Sequence, residues 1–264
     1  MKSPLVAALA AAVLAGCGPT YEIAQGGGAA PAPQAPLPAA RRSVAAGAAD
    51  YRAASIRIER EAQLMCRDAQ PNAPSKYCDY QFRLVDDPRI GPNAFQTMGP
   101  DGRPVVVMTT QLVAVTDNAD EIAFILGHEA GHHIANHIAK SQTQAMTGAL
   151  VLGTLATLGN ASPEVVNDMM NVGASLGGRA YSQSYELEAD VLGAYIAARA
   201  GYDPERGSKV FARPALAAGG GMLSTHPASA QRQTTVAQTS AEIRRQQAAG
   251  QTPSPSKAAH GAWF

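Results

Sequence analysis

His128-Glu129-Ala130-Gly131-His132 sets two imidazoles four residues apart with a glutamate between them. On a helix, residues four apart project from one face, so both rings can ligate one ion while Glu129 reaches water at the rim of the site. The chemistry implied is zinc-assisted hydrolysis of a peptide bond with Glu129 as the general base. A catalytic zinc takes a third protein ligand and keeps its fourth position open to water. Tyr185-Glu186-Leu187-Glu188-Ala189-Asp190 offers one. Glu186 and Asp190 are again four apart, so Glu186 can bind the metal while Asp190 holds a ligand histidine through its second ring nitrogen. A metzincin would need glycine and histidine where Ala135 and Ile138 stand. His133 and His137 are therefore assigned to packing or to the helix surface.

The elements that must carry these residues are mainly helical. Asn118 is a good N-cap with Glu121 three residues on, and Asp120 and Glu121 place negative charge where the helix dipole favours it. Ile122, Phe124, Ile125 and Leu126, continued by Ile134 and Ile138, make this a buried helix. Periodicity predicts helices over 48–68, 118–139, 142–159, 163–177, 182–200 and 228–246, with a small sheet from segments near 82–86 and 104–109. The fold class expected is mainly α (α+β). Met146 to Leu158 is apolar and rich in Gly and Ala but too short to span a bilayer, and is expected to be a buried or lid-like helix rather than an interfacial one.

The order of motifs resembles the CAAX-prenyl-endopeptidase, HtpX and BepA-like group of zinc metallopeptidases. Asn93-Ala94-Phe95 and the run Val105 to Val107 resemble that family's substrate-side edge strand, and Asn118 to His137 its first zinc helix. Glu186 to Asp190 resembles the second zinc helix, and Ser224-Thr225-His226-Pro227 followed by Arg232 the C-terminal segment. The resemblance spans roughly residues 50 to 240 and implies a zincin-like domain with a small sheet beside the active-site helices. It implies one zinc on His128, His132 and Glu186, with Glu186 rather than Glu188 as ligand. His226 becomes a second catalytic candidate, as donor to the developing oxyanion or as occupant of the fourth zinc position in a resting enzyme. The strand near Val105 is expected to pair with substrate backbone by strand addition.

The N-terminus bears on location. Lys2, the apolar run Leu5 to Leu14 and the small residues before Cys17 read as a signal peptide over 1–16. Leu14-Ala15-Gly16-Cys17 looks like a bacterial lipobox, which implies acylation of Cys17, and Gly18 rather than an aspartate after it favours the outer membrane by resemblance to lipoprotein sorting rules. Glycines 26 to 28 and the Pro/Ala tract 29–40 make 17–47 a tether on which a peptidase domain, 48–246, would stand off the membrane in the periplasm; 247–264 reads as a disordered tail. In an oxidising compartment Cys66 and Cys78 are expected to pair, closing a loop worth roughly 3 kcal/mol on the chain-entropy model, the alternative being two buried thiols. Lys plus Arg number 21 and Asp plus Glu 21, with no basic stripe, which argues against a nucleic-acid partner. Two classes of function stay open: an endopeptidase acting on misfolded or outer-membrane proteins of the envelope, or a metal-binding, chaperone-like assembly scaffold with weak proteolysis. Glu129 favours the enzyme, since a scaffold has no use for a base between two ligands.

Overall fold

The computed structural model describes residues 19–23, 43–179, 182–213, 216 and 222–257. Cys17 and Gly219 to Gly221 lie outside the described residues. The elements in chain order are α1 (Val44–Ala69), β1 (Gln81–Val85), β2 (Ala94–Met98), β3 (Pro104–Thr109), α2 (Thr110–Val115) and α3 (Ala119–Ile134). There follow α4 (His137–Leu158), α5 (Pro163–Arg179), α6 (Ser182–Arg199), α7 (Pro204–Ser208), α8 (Met222–Thr225) and α9 (Ala230–Ala248). The result is mainly helical with a small sheet, as expected. No helix among the described residues is long and apolar enough to cross a membrane.

Contacts divide the chain into two compact units: residues up to Thr20 with Asn136–Tyr185, and Tyr21–Ala135 with residues from Glu186 onward. In the larger unit, α1 is capped by Ser43 and buries Tyr51, Ala54, Ile58, Ala62 and Met65, a stripe at helical spacing that packs on α3. Cys66 of α1 is bonded to Cys78, with Cα atoms 5.6 Å apart. The sheet has the order β1-β3-β2, with β1 parallel and β2 antiparallel to β3. This corrects the expectation for the strand near Val105. β3 is the central strand, buried along its length, so its edges are taken by its neighbours and the edge beside α3 belongs to β2.

α3 begins as expected, with the Asn118 side chain accepting from the amides of Asp120 and Glu121 at 3.0 and 3.1 Å. It ends earlier than the apolar pattern suggests. Asn136 takes a left-handed conformation, φ 58°, which asparagine tolerates better than most residues, and the break starts α4 at His137. Ile138 then falls beyond the break and is exposed.

In the smaller unit α4 and α5 form an antiparallel hairpin whose backbones touch. A Cβ on Gly148 would lie 2.0 Å from the Gly173 carbonyl oxygen, and one on Gly177 would lie 2.1 Å from that of Gln144. Gln144 Nε2 donates to Tyr185 Oη at 2.6 Å, and the His137 ring stacks on Tyr185 with centroids 4.4 Å apart. Met146, Leu150, Leu155 and Leu158 are exposed, so the buried helix expected here is not what forms.

Candidate metal centre

Two helices of the larger unit bring the expected residues together, and glycine makes their approach close enough. Gly127 and Gly131 of α3 face α6, where a Cβ on either would lie 3.0 Å from the carbonyl oxygens of Gly193 and Ala189. A Cβ on Gly193 would lie 2.8 Å from the His128 nitrogen. Side chains of ordinary size would force the helices apart. Their absence sets His128 and His132 directly against Glu186 and Asp190.

The ligand atoms of His128, His132, Glu186 and His226 all lie within 4.8 Å of one another. His128 Nε2 is 3.1 Å from His132 Nε2, 3.4 Å from Glu186 Oε2 and 3.3 Å from His226 Nδ1. His132 Nε2 is 3.4 Å from Glu186 Oε1, which is 3.0 Å from His226 Nδ1. A tetrahedral zinc with bonds of about 2.0–2.1 Å spaces its ligand atoms about 3.3 Å apart. The set therefore fits zinc in donor type and in spacing. It also contains one more donor than a catalytic site needs, because His226 Nδ1 stands among the ligand atoms while its Nε2 lies 3.4 Å from Glu129 Oε1.

The surroundings orient this set. His128 Nδ1 donates to Asp190 Oδ1 at 2.9 Å, which leaves Nε2 to face the other ligand atoms. Asp190 is in turn held by Arg232, whose Nε and Nη2 donate to its two oxygens at 2.6 Å each. Arg232, 2 % exposed, also donates to the His226 carbonyl at 3.2 Å and covers the Phe211 ring at 3.8 Å. Burial disfavours the charged forms here, yet the Asp190 and Glu186 carboxylates outweigh it at His128 and raise its pKa to about 9. Burial alone would raise Glu186, but the His132 charge and bonds from all three histidines hold it well below the usual carboxylate range. Burial lowers His132.

Glu129 is 1 % exposed and its Oε1 makes no hydrogen bond among the described residues, although His226 Nε2 approaches it to 3.4 Å. His133 lies outside the ligand set: its Nε2 donates to the Tyr77 carbonyl at 2.8 Å and its ring packs on Tyr77 and Tyr80. Glu188 is also separate, fully buried and accepting from the Tyr21 amide at 2.7 Å. Sequence reasoning gave no role to Arg232, although it named the residue, and missed Arg213. Buried Arg213 pairs with Asp117 and Glu121 at the start of α3, where Glu121 Oε2 also accepts from the Asp117 amide at 2.8 Å. The available signal was the pair of acids at a helix start, which the dipole explains only in part.

The model of peptidase family M48 matches residues 54–240. The chain is 30 % identical over 178 residues to the mitochondrial metalloendopeptidase OMA1 of Arabidopsis thaliana, an alignment covering 65 % of this chain and 34 % of that protein. It is 32 % identical over 162 residues to the Saccharomyces cerevisiae protein of the same name, covering 58 % and 45 %. With the β-barrel assembly-enhancing protease of Yersinia pestis it shares 30 % identity over 142 residues, covering 51 % and 28 %. The chain thus spans less than half the length of each of these relatives.

Proposed function

This chain belongs to peptidase family M48, and on that premise we propose that it is a zinc metalloendopeptidase tethered through an acylated Cys17 to the periplasmic face of the outer membrane, where it cuts misfolded or outer-membrane proteins of the envelope. The observation that carries the reading is the convergence of His128, His132, Glu186 and His226 within 4.8 Å. His128, His132 and Glu186 would hold the ion, and Asp190, clamped by Arg232, fixes the His128 ring. Zinc, when bound, lowers the pKa of a water to roughly 7 and polarises the scissile carbonyl.

The rest of the chemistry falls to the chain. Glu129 takes the proton of the attacking water and returns it to the leaving amine, a role suited to a buried carboxylate oxygen that makes no hydrogen bond among the described residues. β2, the sheet edge that packs against α3, offers its free backbone groups to an extended substrate, leaving selectivity to side-chain pockets. His226 would fill the corner that the catalytic water needs, so the resting protein is a latent protease opened by displacement of His226.

Two variants test this on the purified protein. Glu129→Gln should keep its zinc and lose cleavage of an unfolded substrate by about a hundredfold or more; undiminished cleavage would refute the peptidase assignment. His226→Ala should retain zinc and raise basal cleavage. A fall in cleavage with zinc retained would instead make His226 a support for the transition state. Comparing envelope proteins that accumulate with wild-type and Glu129→Gln chains then identifies the substrate class.

A further inference from the structure

The exposed apolar side chains of this protein are concentrated on one hairpin. Along α4, every fourth residue from Gln142 through Met146, Leu150 and Thr154 to Leu158 is exposed. Met146, Leu150 and Leu158 reach 74 %, 68 % and 69 % exposure, values that leave these side chains almost wholly in solvent. Gln144 and Gly148, which meet α5, lie on the other side of the helix. On α5 the exposed large apolar residues are Val165, Met170, Val172 and Leu176, of which Val165, Val172 and Leu176 are spaced to share one face while Met170 turns toward Gly153 of α4.

We propose that the α4–α5 hairpin is a lipid-docking element that lies in the interface of a phospholipid bilayer, the same bilayer that would hold Cys17. For its placement this inference rests on the acylation of Cys17 proposed above. The polar groups of α4 are prepared for such a medium: the hydroxyls of Thr143, Thr147 and Thr157 each donate to the carbonyl four residues back, at 2.9 Å, and need no water. No ionisable residue occurs from Ser141 to Pro163, and only Glu164 and Asp168 occur from there to Gly178. A charged protein partner would find little to recognise on this surface. The apolar stripe is too broken by Gly and Thr to cross a bilayer, which leaves the interfacial plane.

The chain itself indicates which surface the hairpin meets. Lys140 Nζ, at the root of α4, donates to Thr20 Oγ1 at 2.8 Å. Cys17 is three residues before Thr20, so covalent geometry keeps it within about 11 Å of that residue. Acyl chains on Cys17 therefore bring the base of the hairpin to the bilayer. Attachment comes from the lipid and a second, orienting contact from Met146, Leu150 and Leu158.

The test uses the mature full chain carrying Cys17→Ser, which removes the acyl contribution, and vesicles of phosphatidylethanolamine and phosphatidylglycerol. This protein should float with the vesicles, and high salt should not release it, since no basic cluster is involved. The triple substitution Met146→Glu, Leu150→Glu, Leu158→Glu should lower the partition by at least about tenfold for each side chain that enters the acyl region. Its zinc content and cleavage of a soluble peptide should stay unchanged. Leu150→Trp, a milder probe, should show blue-shifted emission quenched by brominated acyl chains. Failure of the Cys17→Ser chain to float, equal flotation of the triple variant, or no spectral shift in the Leu150→Trp variant on adding vesicles would each overturn the proposal. A concentration-dependent dimer abolished by the triple variant would overturn it in favour of a second copy. Mass analysis of the native N-terminus tests acylation separately, so the two readings fail in different measurements.

Discussion

Two glutamates of α6 separate chemistry from architecture. Glu186 meets all three histidines, whereas Glu188, two residues on and so on the far side of the helix, receives the Tyr21 amide. Glu186→Ala should therefore lose zinc. Glu188→Ala should keep zinc and activity but lower stability by about 1–3 kcal/mol, because it leaves a buried amide without an acceptor. Metal analysis beside thermal melting reads both, and loss of zinc in Glu188→Ala alone would overturn the ligand assignment. Spacing made the local part of this site legible, since a four-residue interval is a statement about one helix face. Arg232 was beyond such reasoning. It lies 42 residues from Asp190, and no local pattern reports which buried acid a distant arginine will clamp.

The same limit applies to elements. Caps and apolar periodicity located α3 and α6, but the crossing that makes the candidate site depends on Gly127, Gly131 and Gly193, which a pattern search reads as neutral or helix-weakening residues. Gly193→Ala leaves every ligand in place yet puts a Cβ 2.8 Å from the His128 nitrogen and 3.0 Å from its Cα, both rigid backbone atoms. The helices must move apart, and the zinc affinity of the folded variant should fall by about tenfold or more, as for loss of a group that orients a ligand. Competition with a chelator measures it, and unchanged affinity would show that the crossing tolerates a methyl group. Strand order was illegible for a related reason: β3 is the most apolar strand because it is central, and the sheet edge beside α3 falls to the plainer β2. The α4 run misled because apolar content alone does not distinguish a helix covered by protein from one left bare.

At the scale of the whole molecule, the described residues at the start of the expected tether, 19–23, are paired with the folded chain. The Tyr21 amide is held by Glu188, the Glu22 amide donates to the Ser256 carbonyl at 2.9 Å, and Tyr21 bridges to Lys257. Of the tail expected to be disordered over 247–264, the described residues 247–257 continue α9 to Ala248 and reach this pairing, a long-range match that neither low-complexity segment announces. The consequence for anchoring is geometric. Only four residues of chain lead from Cys17 to Tyr21, at most about 14 Å, so an acylated chain is held close to the lipid rather than stood off from it. Mass spectrometry of the mature protein should find an N-terminus at acylated Cys17, and the protein should fractionate with the outer membrane. An unmodified N-terminus downstream of Cys17, with the protein soluble in the periplasm, would remove the anchor. It would also remove the reason for a docked segment so near the start of the mature chain. If the anchor holds, Glu188→Ala should leave fractionation unchanged while exposing the segment around Tyr21 to added protease, because the acyl chains and the Glu188 contact hold the same stretch of chain by independent means.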